Sequence, residues 1–366
     1  MTTAVIQWGT GNVGRHALRG VLERPDLELV AVRVFDPDKV GVDAGDLVDG
    51  ARVGVAATDD FGRILETKAD VVLYNSLGTT LVDLQGPVDE VCALLRSGKN
   101  VISSAIDLFL YLKPGVAPAY VTPDMVAQLR EACQTGGTSI YNVGMTPGFA
   151  LDLWPVTMGR TVRKVESIHI RELVSLQRYR SSTVEFMGFG LPPDAEVEMF
   201  KMFVESPDNP AGGAVNTPYG ATLHFIGDAF GVGLDEIVYT HRDVRVAQER
   251  LEMPGGVFER GTVVGTEFRL AGLVDGHEFV TIDFLWRIDD DGWPPNLCAW
   301  ELEIEGDPSV RSRMEFATET DARRATSITV AGHCINAIPQ VVAAAPGIVD
   351  HFSLPLFTGR AAASLR

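Results

Sequence analysis

Apolar and polar positions follow two different rhythms along this chain. Up to about residue 150, short apolar runs alternate with longer stretches of helical spacing. Ala4 to Trp8 (AVIQW), Leu27 to Phe35 (LELVAVRVF), Ala69 to Tyr74 (ADVVLY), Asn100 to Ser103 (NVIS) and Ser139 to Val143 (SIYNV) read as strands. Between them, Arg15 to Leu22, Asp89 to Ser97 and Pro123 to Thr135 read as helices. The last has Pro at its start and Gly136-Gly137 at its end, the punctuation that fits a helix. Short apolar strands separated by helices predict a parallel sheet covered on both faces.

After Phe149 the rhythm changes. Lys164 to Arg178 reads as one long strand. Asp243 to Ala247, Gly261 to Leu270, Glu278 to Ile288 and Cys298 to Ile304 read as further strands, with turns at Asp275-Gly276 and Asp290-Asp291-Gly292 between some of them. That pattern predicts a mainly antiparallel sheet in an α+β domain. Ser181 to Gly220, rich in Phe, Met, Pro and Gly, reads as irregular. A helix is expected over Thr320 to Ile338, stopped by Pro339. The fold class is therefore an α/β Rossmann-type nucleotide-binding domain (residues 1–150) plus an α+β domain (151–319). By analogy with other two-domain chains of this kind, segment 320–366 packs back on the first domain.

A length of 366 residues favours two domains over one core. The net charge of −18 argues against a nucleic-acid or anionic-membrane surface. It leaves room for an anionic cofactor, which a backbone turn binds through local dipoles. Met1-Thr2-Thr3-Ala4 carries neither a basic region nor an apolar signal segment, and no run reaches the roughly 20 apolar residues of a membrane span. Cys92, Cys133, Cys298 and Cys334 form no CxxC pair, so they read as buried small side chains in a reducing, cytoplasmic compartment. The seven histidines make no HxxxH or HExxH pattern, and no metal is expected.

The most specific chemistry lies at the start. Gly9-Thr10-Gly11-Asn12-Val13-Gly14 follows the first strand directly and opens a helix. That order is the setting a dinucleotide-binding turn needs. Gly9 permits the tight turn, Gly11 lets backbone approach a pyrophosphate, and Gly14 lets helix and strand pack closely. The helix N-terminus then faces the phosphates. Asp36, 22 positions after Gly14, can accept ribose 2′-hydroxyl hydrogen bonds, although Asp36-Pro37-Asp38 is also good turn chemistry. Arg33 and Lys39 lie close enough in sequence to serve a 2′-phosphate instead, so NAD and NADP stay open.

Ligands bind at the carboxyl edge of open α/β sheets. Asn75, Ser76 and Leu77 follow one strand there, and Ser104 to Asp107 follow the next. Asp107 is the ionisable group expected nearest a reacting carbon, as a general base or an anchor for a cationic amine. A helix or turn cap is the alternative. Asn142, Met145, Thr146 and Phe149 lie in a Gly/Pro-rich turn where the two rhythms meet. His169 and Arg171 share one face of the long strand and are candidate pocket residues, while Glu172 takes the other face. The Phe186 to Leu191 and Met199 to Phe203 segments supply apolar surface for a pocket, a core or a dimer contact.

Several motifs together resemble the 2,4-diaminopentanoate dehydrogenase family, which includes native amine dehydrogenases and has a dihydrodipicolinate-reductase-like N-terminal domain. They are Gln7 to Gly14, Asp36 to Gly45, Gly144-Met145-Thr146-Pro147-Gly148-Phe149, Phe186 to Gly190, and Asn336-Ala337-Ile338-Pro339 with Ala345-Pro346-Gly347. The resemblance runs from end to end. It implies an NAD(P)-dependent oxidoreductase, usually a homodimer, acting on a small substrate at a C–N or C=O centre. It also implies cofactor contacts at Asn336. Amine-active members place a glutamate after the fifth strand. This chain has Ser104-Ala105-Ile106-Asp107-Leu108 there, with Asp107 or Ile106 at the corresponding position, and it has Thr146 where members often carry Asn. The expected function is amine dehydrogenase or imine reductase. A carbonyl or alcohol oxidoreductase and a non-catalytic nucleotide-binding regulator are the alternatives.

Overall fold

The computed structural model describes residues 2–76, 84–105, 111–112, 121–177, 181–203, 213–253, 256–289, 292–294, 297–316 and 325–361. The chain forms two compact units. The first comprises Met1–Leu110, Tyr120–Gly148 and Thr326–Arg366. The second comprises Tyr111–Ala119 and Phe149–Ala325.

The first unit starts β1 (Thr3–Trp8), α1 (Gly14–Leu22), β2 (Leu27–Arg33), α2 (Phe61–Glu66), β3 (Val71–Tyr74), α3 (Gln85–Arg96), β4 (Asn100–Ser103), α4 (Pro123–Gly136) and β5 (Ser139–Asn142). All of its strand pairs are parallel. Every residue of β3 is buried, which is why the run is apolar throughout rather than alternating. Local chemistry sets the helix ends. Asp60 accepts the Arg63 N–H (3.0 Å) to start α2, and Thr122 accepts the Met125 N–H (3.2 Å) to start α4. Gly137 ends α4 with φ +66°. Along α1, Gly14, Ala17, Leu18 and Val21 recur at helical spacing and are buried.

The second unit contains α5 (Leu153–Gly159), β6 (Lys164–Ser175), α6 (Ser181–Phe186), α7 (Glu198–Lys201), α8 (Pro218–Ala229), β7 (Glu236–Val246), β8 (Leu251–Met253), β9 (Gly256–Phe258), β10 (Val263–Val274), β11 (His277–Arg287), β12 (Cys298–Asp307) and β13 (Val310–Glu315). Its main sheet has the order β13-β12-β6-β11-β10-β7, and β8-β9 forms a small hairpin. The pairing is antiparallel except between β6 and β11, so the sheet is mixed but mainly antiparallel. The segment expected to be irregular holds α6 and α7 and the start of α8, where Thr217 accepts the Gly220 N–H and Pro218 occupies the first turn. Phe203 packs against Tyr219, Tyr239 and Phe268, so the Met199 to Phe203 part of the apolar surface is core, whereas Phe186 is exposed.

The chain then forms α9 (Ala325–Val342) and β14 (Gly347–Val349). β14 pairs in parallel with β5 and completes a six-stranded sheet of order β14-β5-β4-β3-β1-β2. Pro339 does not stop α9 as expected. It lies inside the helix on an exposed position, while Ile338 and Val341 on either side are fully buried. Burial of that face outweighs the one backbone hydrogen bond that proline removes. The architecture is a Rossmann-type parallel α/β unit plus an α+β unit. No helix among the described residues is long and apolar enough to cross a membrane.

Candidate active site

The carboxyl ends of β1, β3, β4 and β5 lie side by side, and each carries part of a polar cluster. The glycine turn leaves β1 with Gly9 at φ +88°, and the Gly9 N–H donates to the Arg33 carbonyl at 2.9 Å. A Cβ on Gly9 would stand 2.9 Å from the Asn75 carbonyl oxygen. One on Gly14 would stand 2.1 Å from the Gly9 carbonyl oxygen. Both glycines therefore serve close packing. Gly11 differs: nothing among the described residues lies within 4 Å of where its Cβ would be, and Gly11 and Asn12 are exposed. Open space over the middle glycine, beside the first turn of α1, fits a pyrophosphate. Thr10 and Val13 flank it, both partly accessible.

Gln7 holds this turn from below. Fully buried, it donates from Nε2 to the Gly9 carbonyl (2.8 Å) and to Asn75 Oδ1 (3.0 Å). Asn75 in turn donates to Ser104 Oγ (2.8 Å) and Cys334 Sγ (3.6 Å). One chain of contacts thus joins the glycine turn, the ends of β3 and β4, and α9. Burial pushes the Cys334 thiol up to about 12, so it stays protonated and acts as a packing group. Sequence reasoning missed Gln7. Its signal was a polar residue inside an otherwise apolar strand.

Asn142 is buried at the end of β5, with Met145 buried and Thr146 partly accessible just beyond. The Val143 N–H donates to the Ser103 carbonyl (2.8 Å), which keeps this segment beside β4. Gly148, at φ +120°, packs so closely on Gly144 that a Cβ would meet the Gly144 nitrogen at 2.3 Å. Ser76 is partly accessible beyond β3. Leu77 and Asp107 lie outside the described residues. Asp36 is exposed and accepts the Asp38 N–H at 3.1 Å, closing a 3-10 turn over Pro37–Lys39. Asn336 on α9 lies beside Gly359, where a Cβ would stand 3.5 Å from its Nδ2, rather than in the Asn75 network.

The remaining candidates belong to the second unit. Phe149 accepts the Trp154 N–H at the start of α5. His169 and Arg171 line a charged groove of about 460 Å³ with Glu301, Glu303, Arg311 and Arg313. His169 Nε2 meets Asp283 Oδ2 at 2.8 Å, and Arg171 donates to Glu301 at 2.6 Å. Burial opposes the Asp283 charge, but hydrogen bonds from Arg269 and His169 outweigh it and hold this carboxyl below the usual range. These two candidates are engaged within their own sheet, His169 in a hydrogen bond with Asp283 and Arg171 in an ion pair with Glu301. Glu172, on the opposite face, is buried and accepts both the Trp286 and Trp300 indole N–H groups, at 2.8 and 2.9 Å. Burial, and then the Glu172 charge, push the nearby Cys298 thiol up to about 12.

Residues 149–364 match the model of the 2,4-diaminopentanoate dehydrogenase C-terminal domain. The chain belongs to the 2,4-diaminopentanoate dehydrogenase family. An amine dehydrogenase of Streptomyces virginiae is 30% identical over 364 residues, with 96% of each chain covered. A 2,4-diaminopentanoate dehydrogenase of Acetoanaerobium sticklandii is 25% identical, covering 96% of this chain and 93% of the relative. The solved amine dehydrogenase of Mycobacterium smegmatis shares the fold, with a TM-score of 0.74 at 20% identity and 98% of each chain covered. The end-to-end resemblance read from the motifs therefore holds. Like its family, the chain is an NAD(P)-dependent oxidoreductase with NAD or NADP as cofactor.

Proposed function

We propose that this protein is an amine dehydrogenase, which moves a hydride between the nicotinamide ring and a carbon bearing nitrogen on a small substrate. The observation that carries the reading is the full-length similarity to a protein named amine dehydrogenase, together with an open glycine turn at the sheet edge. When bound, the cofactor supplies the hydride acceptor or donor. The chain supplies position. Backbone of Gly9, Thr10, Gly11, Asn12, Val13 and Gly14 holds the pyrophosphate. Asn75, Ser76, Leu77 and Thr146 border the nicotinamide side, with Asn75 fixed by Gln7 and Ser104.

Ser104, Asn142 and Met145 are the proposed substrate contacts. Asp107 follows β4 by four positions and is the proposed acid/base group. In the oxidative direction it takes the proton from a protonated amine, so that the carbon can release hydride and leave an iminium ion. Water then adds to the iminium, and the adduct breaks its C–N bond to give a carbonyl compound and an ammonium ion. Orientation of the substrate carbon against the cofactor supplies much of the rate. A homodimer and a cytoplasmic location go with the same reading. Unpaired Cys92, Cys133, Cys298 and Cys334 support a reducing compartment.

The test is oxidation of a panel of primary amines with each oxidised cofactor, for the wild type and Asp107→Asn. Amine-dependent cofactor reduction that falls at least ~100-fold in the variant, the usual weight of a general base, is the expected result. Turnover of alcohols but no amine would replace this reading with a carbonyl/alcohol oxidoreductase.

A further inference from the structure

We propose that this chain selects the 2′-phosphorylated cofactor, NADP, and that Lys39 and Arg33 form the clamp for its 2′-phosphate. The proposal rests on reading the glycine turn as the cofactor site. In Rossmann-type units the end of the second strand lies beside the adenosine ribose, where an acid favours NAD and an arginine accommodates the extra phosphate. Here β2 ends at Arg33, whose carbonyl accepts the Gly9 N–H at 2.9 Å, so the arginine backbone is fixed next to the first glycine.

The Arg33 guanidinium stands over two rings, 5.0 Å from the Phe35 centroid and 5.6 Å from the Trp8 centroid. One of its terminal nitrogens donates to the Val34 carbonyl (3.1 Å), while its Nε is buried with no hydrogen-bond partner. Aromatic faces hold the cation in place without consuming its donors. Phe35 is 54% exposed, a ring face of the kind on which a purine stacks.

Lys39 reaches the glycine turn. Its Nζ lies 3.3 Å from Thr10 Oγ1 and 3.5 Å from the Thr10 carbonyl, long contacts to neutral acceptors on the glycine turn itself. A phosphate is a stronger partner for both cations, through charge-assisted hydrogen bonds. The two acids of this region point to a different task. Asp36 and Asp38 are both exposed, and the Asp36 carboxylate closes the 3-10 turn that carries Lys39. The residue that would select NAD is thereby part of the support for the cation that selects NADP.

Isothermal titration calorimetry with NADP+ and NAD+ decides the matter without any turnover. Adenosine 2′,5′-bisphosphate and adenosine 5′-monophosphate probe the same end of the site. A charge-assisted hydrogen bond is worth about tenfold or more in affinity, so each 2′-phosphorylated ligand is expected to bind at least ~10-fold more tightly than its partner. Lys39→Ala and Arg33→Ala should each remove ~10-fold or more of NADP+ affinity and leave NAD+ within ~3-fold. Lys39 lies on an exposed turn, so its variant serves if Arg33→Ala fails to fold. Equal or tighter binding of NAD+, a parallel loss for both cofactors in Lys39→Ala, or an NAD+-selective loss in Asp36→Ala would overturn the proposal. Binding of neither nucleotide would remove the cofactor-site reading, and the proposal with it.

Discussion

Acidification from pH 7 to pH 5 should destabilise this protein through two histidines. Tyr141 on β5 places its hydroxyl 2.6 Å from His351 Nδ1 and 3.2 Å from His333 Nε2. Phe357 packs against Tyr141 and His333. Burial lowers His333 from 6.5 to about 4. Burial and the neighbouring His333 lower His351 from 6.5 to about 3. A histidine whose folded value is depressed leaves stability intact above its unfolded value of 6.5. That stability is lost as pH falls toward the folded value, because only the unfolded chain takes up the proton. At 1.36 kcal/mol per unit, the fall from 6.5 to 5 costs about 2 kcal/mol for each ring. Both residues are only partly buried, so halving the sum for screening leaves about 2 kcal/mol for the pair. Asp26, lowered to about 2 chiefly by its Arg24 hydrogen bond, loses its contribution only as pH falls below 3.8, outside this window. Urea unfolding of wild type and of the His333→Gln/His351→Gln variant, each at pH 7 and 5, isolates the effect. Wild type should lose about 2 kcal/mol more than the variant between the two pH values. An equal loss in both proteins would refute the reasoning.

Other outcomes follow from the same geometry. Gly11→Ala meets open space, so its thermal midpoint should stay within ~2 °C of wild type while nucleotide affinity in calorimetry falls at least ~10-fold. Gly14→Ala drives a Cβ into the Gly9 carbonyl and should lower both the midpoint and the affinity; an unaffected midpoint would show that the turn is looser than described. Glu172→Leu strands two buried indole N–H groups and should cost about 2–5 kcal/mol in chemical denaturation, with Glu172→Gln, which keeps one acceptor, costing roughly half. Equal costs for the two variants would argue that the indole bonds contribute little.

The parallel sheet was legible because its strands are buried on both faces and so read as bare apolar runs, as Val71 to Tyr74 show. Helix ends carried by local chemistry, such as Thr122-Pro123 and Gly137, were legible for the same local reason. Several elements escaped, α2, α5, α8 and the β8–β9 hairpin among them. Val310 to Glu315 is a charged strand with little apolar content, and Gly347 to Val349 is too short to show a period. Pro339 sits in a helix whose continuation depends on buried neighbours. The parallel pairing of β6 with β11 joins residues more than a hundred positions apart, which no local pattern encodes. The site divided along the same line. The glycine turn announces itself within six residues, whereas the contacts that fix Asn75 come from Gln7, Ser104 and Cys334, scattered from one end of the chain to the other.

The most direct test of the central claim is consumption of NADH and NADPH, measured separately, with a panel of small ketones and aldehydes in the presence and absence of ammonium. Consumption that requires ammonium, with the amine as product, is the expected result. Consumption at the same rate without ammonium would contradict it and assign carbonyl reduction instead.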